Sequence, residues 1–320
     1  MTDAALRGGP AAPRVVVIGE ALVDIVHRGT GVDEAPGGSP ANTALTLGRL
    51  GRRPTLVTRL GDDERGRRIR RWLEESGVEV VAVEAARTST ATARLDAAGA
   101  ARYEFDLQWE LGADPDRNAA LAAAADIVHV GSVATVLEPG DAQVAALVRA
   151  ARADALVTYD PNIRPSLVDD PARVRGRVDD LVALADVVKA SDEDLRWLAP
   201  GRDAVEVARE WVARGPALVV VTLGAQGAIG VTADGDVVIP PVVTDVVDTV
   251  GAGDTFMGAL IDGLLERGFA AAAVRAPGGG IRSADVAALL ERAARAAAIT
   301  VSRPGADPPR RHELDAARTA

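Results

Sequence analysis

Asp248-Thr249-Val250-Gly251-Ala252-Gly253-Asp254-Thr255-Phe256 follows a β-branched run and opens an amphipathic stretch with Phe256, Leu260, Leu264 and Leu265 on one side. A strand, a tight loop and a helix in that order are the repeating step of an α/β fold. Small residues at 251–253 let consecutive backbone N–H groups come close to a ligand, and they sit at a helix N-terminus with its partial positive charge. That arrangement suits an anion. Asp254 stands beside it in the first turn, where helix capping alone could also place an acid.

Outward from this segment the same step recurs. Val15–Ile18, Leu56–Val57, Ile127–Val130, Leu156–Thr158, Val187–Val188 and Leu218–Thr222 read as buried strands. Between them, 42–50, 65–76, 142–153, 174–185, 204–214, 255–267 and 284–301 carry apolar residues at helical spacing. The expected fold is α/β, an αβα sandwich around a mostly parallel central sheet. Two places depart from the rhythm. Thr90–Asp96 and Ala101–Leu107 alternate with period two and predict an antiparallel hairpin, and 24–38 adds a short extended piece. Together, from about 24–38 and 88–110, they predict a small β-sheet lid over the carboxyl edge of the main sheet. Later, 228–232, 237–239 and 242–247 read as a meander on an antiparallel edge.

Composition narrows the chemistry. A chain of 320 residues with 48% apolar content can bury a substantial core. Cysteine is absent, which removes disulfides, thiolate zinc sites and cysteine nucleophiles and points to a reducing, cytoplasmic compartment. His27, His129 and His312 show no metal-ligand spacing. The net charge of −10 argues against a nucleic-acid partner. No window reaches the run of about 18–20 apolar residues that a spanning helix needs, so no membrane partner is expected. Residues 1–13 lack a basic start followed by an apolar stretch and read as a flexible lead.

Of the 36 basic residues only Lys189 is a lysine. A Walker A loop requires Gly-Lys-Ser/Thr, and Val188 precedes Lys189, so P-loop NTPases are excluded. The protein-kinase catalytic loop fails as well, because Gly29 follows the only His-Arg pair.

The nine-residue string at 248–256 resembles the C-terminal signature of the PfkB carbohydrate kinases, D-T-x-G-A-G-D, within the ribokinase-like superfamily. The likeness runs from Arg14 to about Ala306, which makes 14–306 the kinase domain and 307–320 a tail. It implies Asp254 as the base that takes the proton from a sugar hydroxyl, and the amides of Gly251, Ala252 and Gly253 as the anion hole for the γ-phosphoryl group of ATP. Gly37 to Ala44 resembles the N-terminal signature, with Ser39-Pro40 closer to the fructokinase branch than to ribokinases. From it follow sugar contacts by Gly38 and Asn42, and by Asp24 upstream, where a dinucleotide loop would carry glycine instead. Arg102 falls on the strand that faces substrate in the family, near Phe105. Asp160-Pro161-Asn162-Ile163-Arg164 resembles the D-x-N-x-R motif of fructokinase-like members, with Arg164 contacting substrate.

On the nucleotide side, Lys189 ends a strand, and Ser191 and Asp194 stand where many relatives carry Asn and Glu. The resemblance assigns Asp194 to organising water around Mg²⁺. Thr222, Gly224 and Gly227 resemble the T-x-G-x-x-G nucleotide segment. Ser302 to Ala306 resembles the loop that, with carbonyls of Asp248 and Val250, holds a monovalent cation such as K⁺. The implied activity is an ATP-dependent sugar kinase, most simply making fructose 6-phosphate. Ribokinase, 2-keto-3-deoxygluconate kinase and nucleoside kinase stay open on the residues alone. So does a sugar-binding regulator without catalysis, and a homodimer formed through the lid.

Overall fold

A computed structural model describes residues 12–28, 31–95, 101–112 and 114–317, with the side chains at 28, 94, 95 and 101–103 left aside. The flexible lead expected at the N-terminus therefore falls outside the described residues up to position 11, as does the connection between the two hairpin strands. Thirteen strands occur among the described residues: β1 (Val15–Ile18), β2 (Leu22–Arg28), β3 (Gly31–Gly37), β4 (Thr55–Gly61), β5 (Glu79–Ala85), β6 (Thr90–Leu95), β7 (Ala101–Asp106), β8 (Ile127–Gly131), β9 (Leu156–Asp160), β10 (Val187–Ser191), β11 (Leu218–Thr222), β12 (Ala228–Thr232) and β13 (Gly235–Ile239).

Nine strands form one sheet in the order β13-β12-β11-β10-β9-β8-β1-β4-β5. All neighbours from β11 to β5 pair in parallel, and β12 and β13 add antiparallel at the edge. Alternate residues of the strands divide between two cores, as a period of two requires. Val15, Val17, Leu56, Ile127, Leu156 and Leu218 pack with Leu260, Ile261, Leu264, Leu289 and Leu290 from the helices Ala252–Glu266 and Ser283–Val301. Val16, Ile18, Val57, Val128, Val157 and Val219 pack with Val144, Val148, Leu181 and Trp211 on the other side. Helices on both faces make the expected αβα sandwich. No helix among the described residues is long and apolar enough to cross a membrane.

The second sheet has four strands, β3-β2-β6-β7. The predicted hairpin is present, with β6 antiparallel to β7, and β2 joins β6 in parallel, Asp24 opposite Ala91.

Three features differ from expectation. The third strand of the meander, 242–247, does not form. Pro240 and Pro241 supply no N–H to a ladder, and Val243 stands 97% exposed. β5 escaped the hydrophobic pattern because it is a sheet edge, where Glu79 and Glu84 interrupt the apolar run. In the tail, Arg311–Ala316 form a helix with Leu314 buried.

Candidate functional site

Two helix N-termini meet at one carboxylate. The helix Ala252–Glu266 starts from Gly251, whose φ of 74° lies in the left-handed region, and no side chain caps it. Its leading N–H groups are thus free of side-chain partners, as an anion cradle needs. Asp254, buried in its first turn, accepts hydrogen bonds from Ser39 Oγ at 2.6 Å and Asn42 Nδ2 at 2.8 Å. Both donors lie in the first turn of the helix Ser39–Arg49, which likewise has no side-chain cap. Ser39 and Asn42 are therefore aimed across the interface at Asp254 instead of back onto their own helix. Asn42 Oδ1 is buried with no partner.

Close approach explains the glycines here. A Cβ on Gly38, at φ 102°, would stand 2.6 Å from the Glu20 carbonyl, and one on Gly251 would stand 2.6 Å from Ala306 Cβ. Asp24, on β2, presses on Gly37, where a Cβ would lie 2.1 Å from Oδ2. Burial pushes the Asp24 carboxyl up to about 6; Arg164 pulls it down and the charge of Asp254 adds to the rise. Arg164 and Asp254 therefore both act electrostatically on Asp24. Arg164 itself is exposed and donates to Asn162 Oδ1 at 2.7 Å, while Asn162 holds a φ of 40°. Arg102 belongs to β7 by its backbone, opposite Arg94, but its side chain lies outside the described residues.

Beneath the anion loop the sheet changes character. On the face that packs against the helix Ala252–Glu266, the apolar series gives way at the carboxyl ends to His129, Thr158, Asp160 and Lys189, all buried. Lys189 Nζ donates to Asp160 Oδ2 at 2.8 Å, and a Cβ on Gly253 would stand 3.0 Å from that ammonium. The lone lysine is thus the floor of the loop, not a surface charge. Burial opposes its charge, yet Asp160, Asp194 and Asp254 together hold its pKa above the usual lysine value. Burial raises Asp160 to about 6 in spite of the lysine, and its Oδ1 has no partner.

Ser191 and Asp194 are already occupied. They form a capping box in which Ser191 Oγ accepts from the Asp194 N–H at 3.0 Å and donates to Asp194 Oδ2 at 2.7 Å. Asp194 also accepts from the Ser191 N–H at 2.9 Å and the Ile163 N–H at 2.7 Å. No group of three or more His, Cys, Asp or Glu among the described residues could cage a metal ion. Thr222 ends β11, and the 223–227 turn is closed by Leu223 N–H on the Gly227 carbonyl at 2.9 Å. Gly224 (φ 54°) and Gly227 (φ 95°) both occupy the left-handed region. Asp248 is turned inward, accepting from Val250 N–H at 3.0 Å and Gly305 N–H at 2.9 Å, which ties 248–251 to the 302–306 loop.

Two features were missed from the sequence. Glu20 is buried beside Gly38, accepts the Ala134 N–H at 3.1 Å, and is raised to about 7 by burial. Its signal was position, four residues before Asp24. The other is the exposed apolar run of Val242, Val243, Val246, Val247 and Val250 leading into the anion loop. Its β-branched composition resembled a strand, and only the Pro-Pro pair before it argued otherwise.

The model of the pfkB family carbohydrate kinases matches residues 12–313. A fructokinase of Rhizobium leguminosarum bv. trifolii is 35% identical over 263 residues, covering 78% of this chain and 79% of that protein. Among solved structures, a fructokinase with bound ATP from Xylella fastidiosa superposes with a TM-score of 0.83 at 27% identity, covering 96% of this chain and 98% of that one. A fructokinase from Vibrio cholerae O395 bound to fructose, ADP and calcium ion gives 0.80 at 27% identity, covering 96% and 99%.

Proposed function

The chain belongs to the pfkB family of carbohydrate kinases, and we propose that it is a fructokinase, moving the γ-phosphoryl group of ATP to the 6-hydroxyl of fructose with Asp254 as base. One observation carries the assignment: a buried carboxylate, oriented by Ser39 and Asn42, sits in the first turn of a helix whose leading amides have no side-chain cap. Each carboxylate oxygen keeps a lone pair after accepting its hydrogen bond, so Asp254 can hold a sugar hydroxyl and take its proton. Phosphoryl transfer needs alignment and charge stabilisation above all. The amides of Gly251, Ala252 and Gly253 and the Lys189 ammonium supply the positive field where the transferred group gains charge.

Asp24, Gly38, Asn42 and Arg164 bind the sugar in this scheme, together with Arg102 from the lid; the unpartnered Asn42 Oδ1 is an open acceptor for a hydroxyl. Thr222, Gly224 and Gly227 line the nucleotide side, and the exposed valines of 242–250 offer an apolar surface for its base. Mg²⁺ would arrive on the ATP phosphates, since no group of three or more His, Cys, Asp or Glu among the described residues could cage it. Its role is to neutralise phosphate charge. Asp194, with its oxygens engaged, suits contact through water, and the carbonyls of Asp248 and Val250 are the candidate ligands for a monovalent cation.

The test is ADP release over a panel of sugars. Fructose should give the highest kcat/KM, and Asp254→Asn should lower kcat by about 10²–10⁴ while leaving ATP affinity in place. Near-normal turnover by Asp254→Asn would sink the mechanism. No ADP release with any sugar would instead make the protein a sugar-binding regulator.

A further inference from the structure

The last described stretch, 303–316, touches the anion loop at one end and the far ends of both site helices at the other. At its start, the Gly305 N–H is held by Asp248 Oδ2 at 2.9 Å, and the Ala306 methyl lies where a side chain on Gly251 would have to go. Arg49, closing the helix that carries Ser39 and Asn42, pairs with Asp307 and donates to the Pro308 carbonyl at 2.7 Å. Within the stretch, Arg303 pairs with Glu313 at 2.5 Å and the Arg310 N–H reaches Glu313 at 2.7 Å.

Its far end is fixed by a buried charge node. Asp262, fully buried, accepts from Arg52 Nε at 2.7 Å and Arg311 Nη2 at 2.6 Å on one oxygen and from Arg292 Nη2 at 2.5 Å on the other. Arg311 also pairs with Glu266 and donates through Nε to the Leu50 carbonyl at 2.8 Å. Asp262 and Glu266 belong to the helix that Asp254 opens, about 12 Å further along its axis at Asp262. Leu50 follows the helix that Ser39 opens. Arg311 therefore joins the tail to both helices whose first turns make the site, and Leu314 adds a buried apolar anchor beside it.

We infer that 303–316 is a strap that positions the anion loop, with Arg311 as its anchoring residue. The inference rests on Gly251–Asp254 being the phosphoryl-transfer site. Gly251 has left-handed backbone and no side chain, so within the loop only short-range hydrogen bonds hold it, such as Val250 N–H to Asp248 Oδ1; the Gly305 N–H, bonded to Asp248, and the Ala306 methyl, against Gly251, press on it from outside. Freeing the anchor lets that pressure relax. Misplacement of a catalytic array by about 1 Å can cost 10²-fold in rate, so a partial release is readable in kcat.

The experiment combines hydrogen exchange with kinetics on the full chain carrying Arg311→Gln. Amide exchange across 249–256 should quicken with exchange in the central strands unchanged, and kcat should fall about tenfold with fructose KM within twofold. Arg275→Gln is the control. Arg275 forks onto buried Asp186, just before β10 at the opposite end of the sheet, so its loss should lower Tm and leave kcat within twofold. Should Arg311→Gln fail to fold, Ala306→Gly removes the methyl on Gly251 without touching an ion pair and should give the same local quickening. Unchanged exchange over 249–256, or an equal kcat loss in Arg275→Gln at matched Tm, overturns the strap. The exchange result stands whether or not fructose is the substrate, and Asp254→Asn tests that reading separately.

Discussion

Lys189→Met separates two roles that one buried lysine could play. The ammonium is 4% exposed and its partner Asp160 1% exposed, so the substitution leaves a carboxyl buried without its cation. Breaking a buried pair in this way costs about 3–5 kcal/mol. Burial already holds the Asp160 carboxyl at about 6, so once unpaired it can take up a proton near neutral pH. That escape places the cost near the lower limit. With an unfolding entropy of about 2.1 cal/mol/K per residue, a chain of 320 residues shifts by about 4 °C for about 3 kcal/mol.

The pH dependence has a definite sign. In the parent the native state keeps the Asp160 proton between the ordinary 3.8 and about 6, so this group's contribution to stability falls as pH rises through that window. Removing Lys189 removes a charge that lowers the Asp160 pKa, so the window extends upward. The Tm deficit of Lys189→Met should therefore grow from pH 5 to pH 8 in calorimetric scans.

Turnover tells the other half. If the ammonium under Gly253 also stabilises the transferring phosphoryl group, its loss costs about 10²–10³ in kcat, the scale for one donor of an oxyanion hole. Lys189→Met/Asp160→Asn removes both charges, so most of the Tm should return while kcat stays low. Recovery of Tm and turnover together in the double variant would refute the phosphate role and leave the lysine purely structural.

Other substitutions probe the buried Glu20 and the 251–254 loop. Glu20→Gln removes a carboxyl whose pKa is raised from 4.5 to about 7, so the native parent binds a proton the unfolded chain does not across that range. The variant should gain stability over the parent as pH rises, by up to about 3 kcal/mol at pH 8 and close to zero near pH 4, read from urea unfolding at each pH; an equal offset at both pH values would show the shift is wrong. Gly251→Ala must hold a left-handed φ of 74° and meet Ala306 Cβ at 2.6 Å. It should lower stability by about 1–3 kcal/mol and kcat at least tenfold. Unchanged kcat would mean that the loop tolerates displacement.

How much was legible in the sequence depended on whether a residue's role was set by its neighbours in the chain. The parallel sheet was readable because both faces are covered, so its strands are continuous apolar runs bounded by Gly, Asp or Pro. β5 was not, because Glu79 and Glu84 interrupt its apolar run at the sheet edge and only pairing with β4 identifies it. At the site, Gly251–Asp254 was legible as a strand–loop–helix step. That Ser39 and Asn42 serve Asp254 was not, since they are 215 and 212 residues away in the chain and a serine opening a helix ordinarily caps it. Asp194 shows the converse. The family resemblance assigned it to water around Mg²⁺, and the chain pattern could not show that its carboxylate also accepts from the Ser191 N–H, the Ser191 hydroxyl and the Ile163 N–H, donors that only the folded loop brings together. Lys189 lies between these cases: its singularity marked it, and the neighbouring strand then supplied the reason. An arginine there would bring a planar fork to a space sized for a point charge 3.0 Å from where a Gly253 Cβ would stand. A chain otherwise written in arginine therefore keeps one lysine where the anion loop leaves no room for a guanidinium.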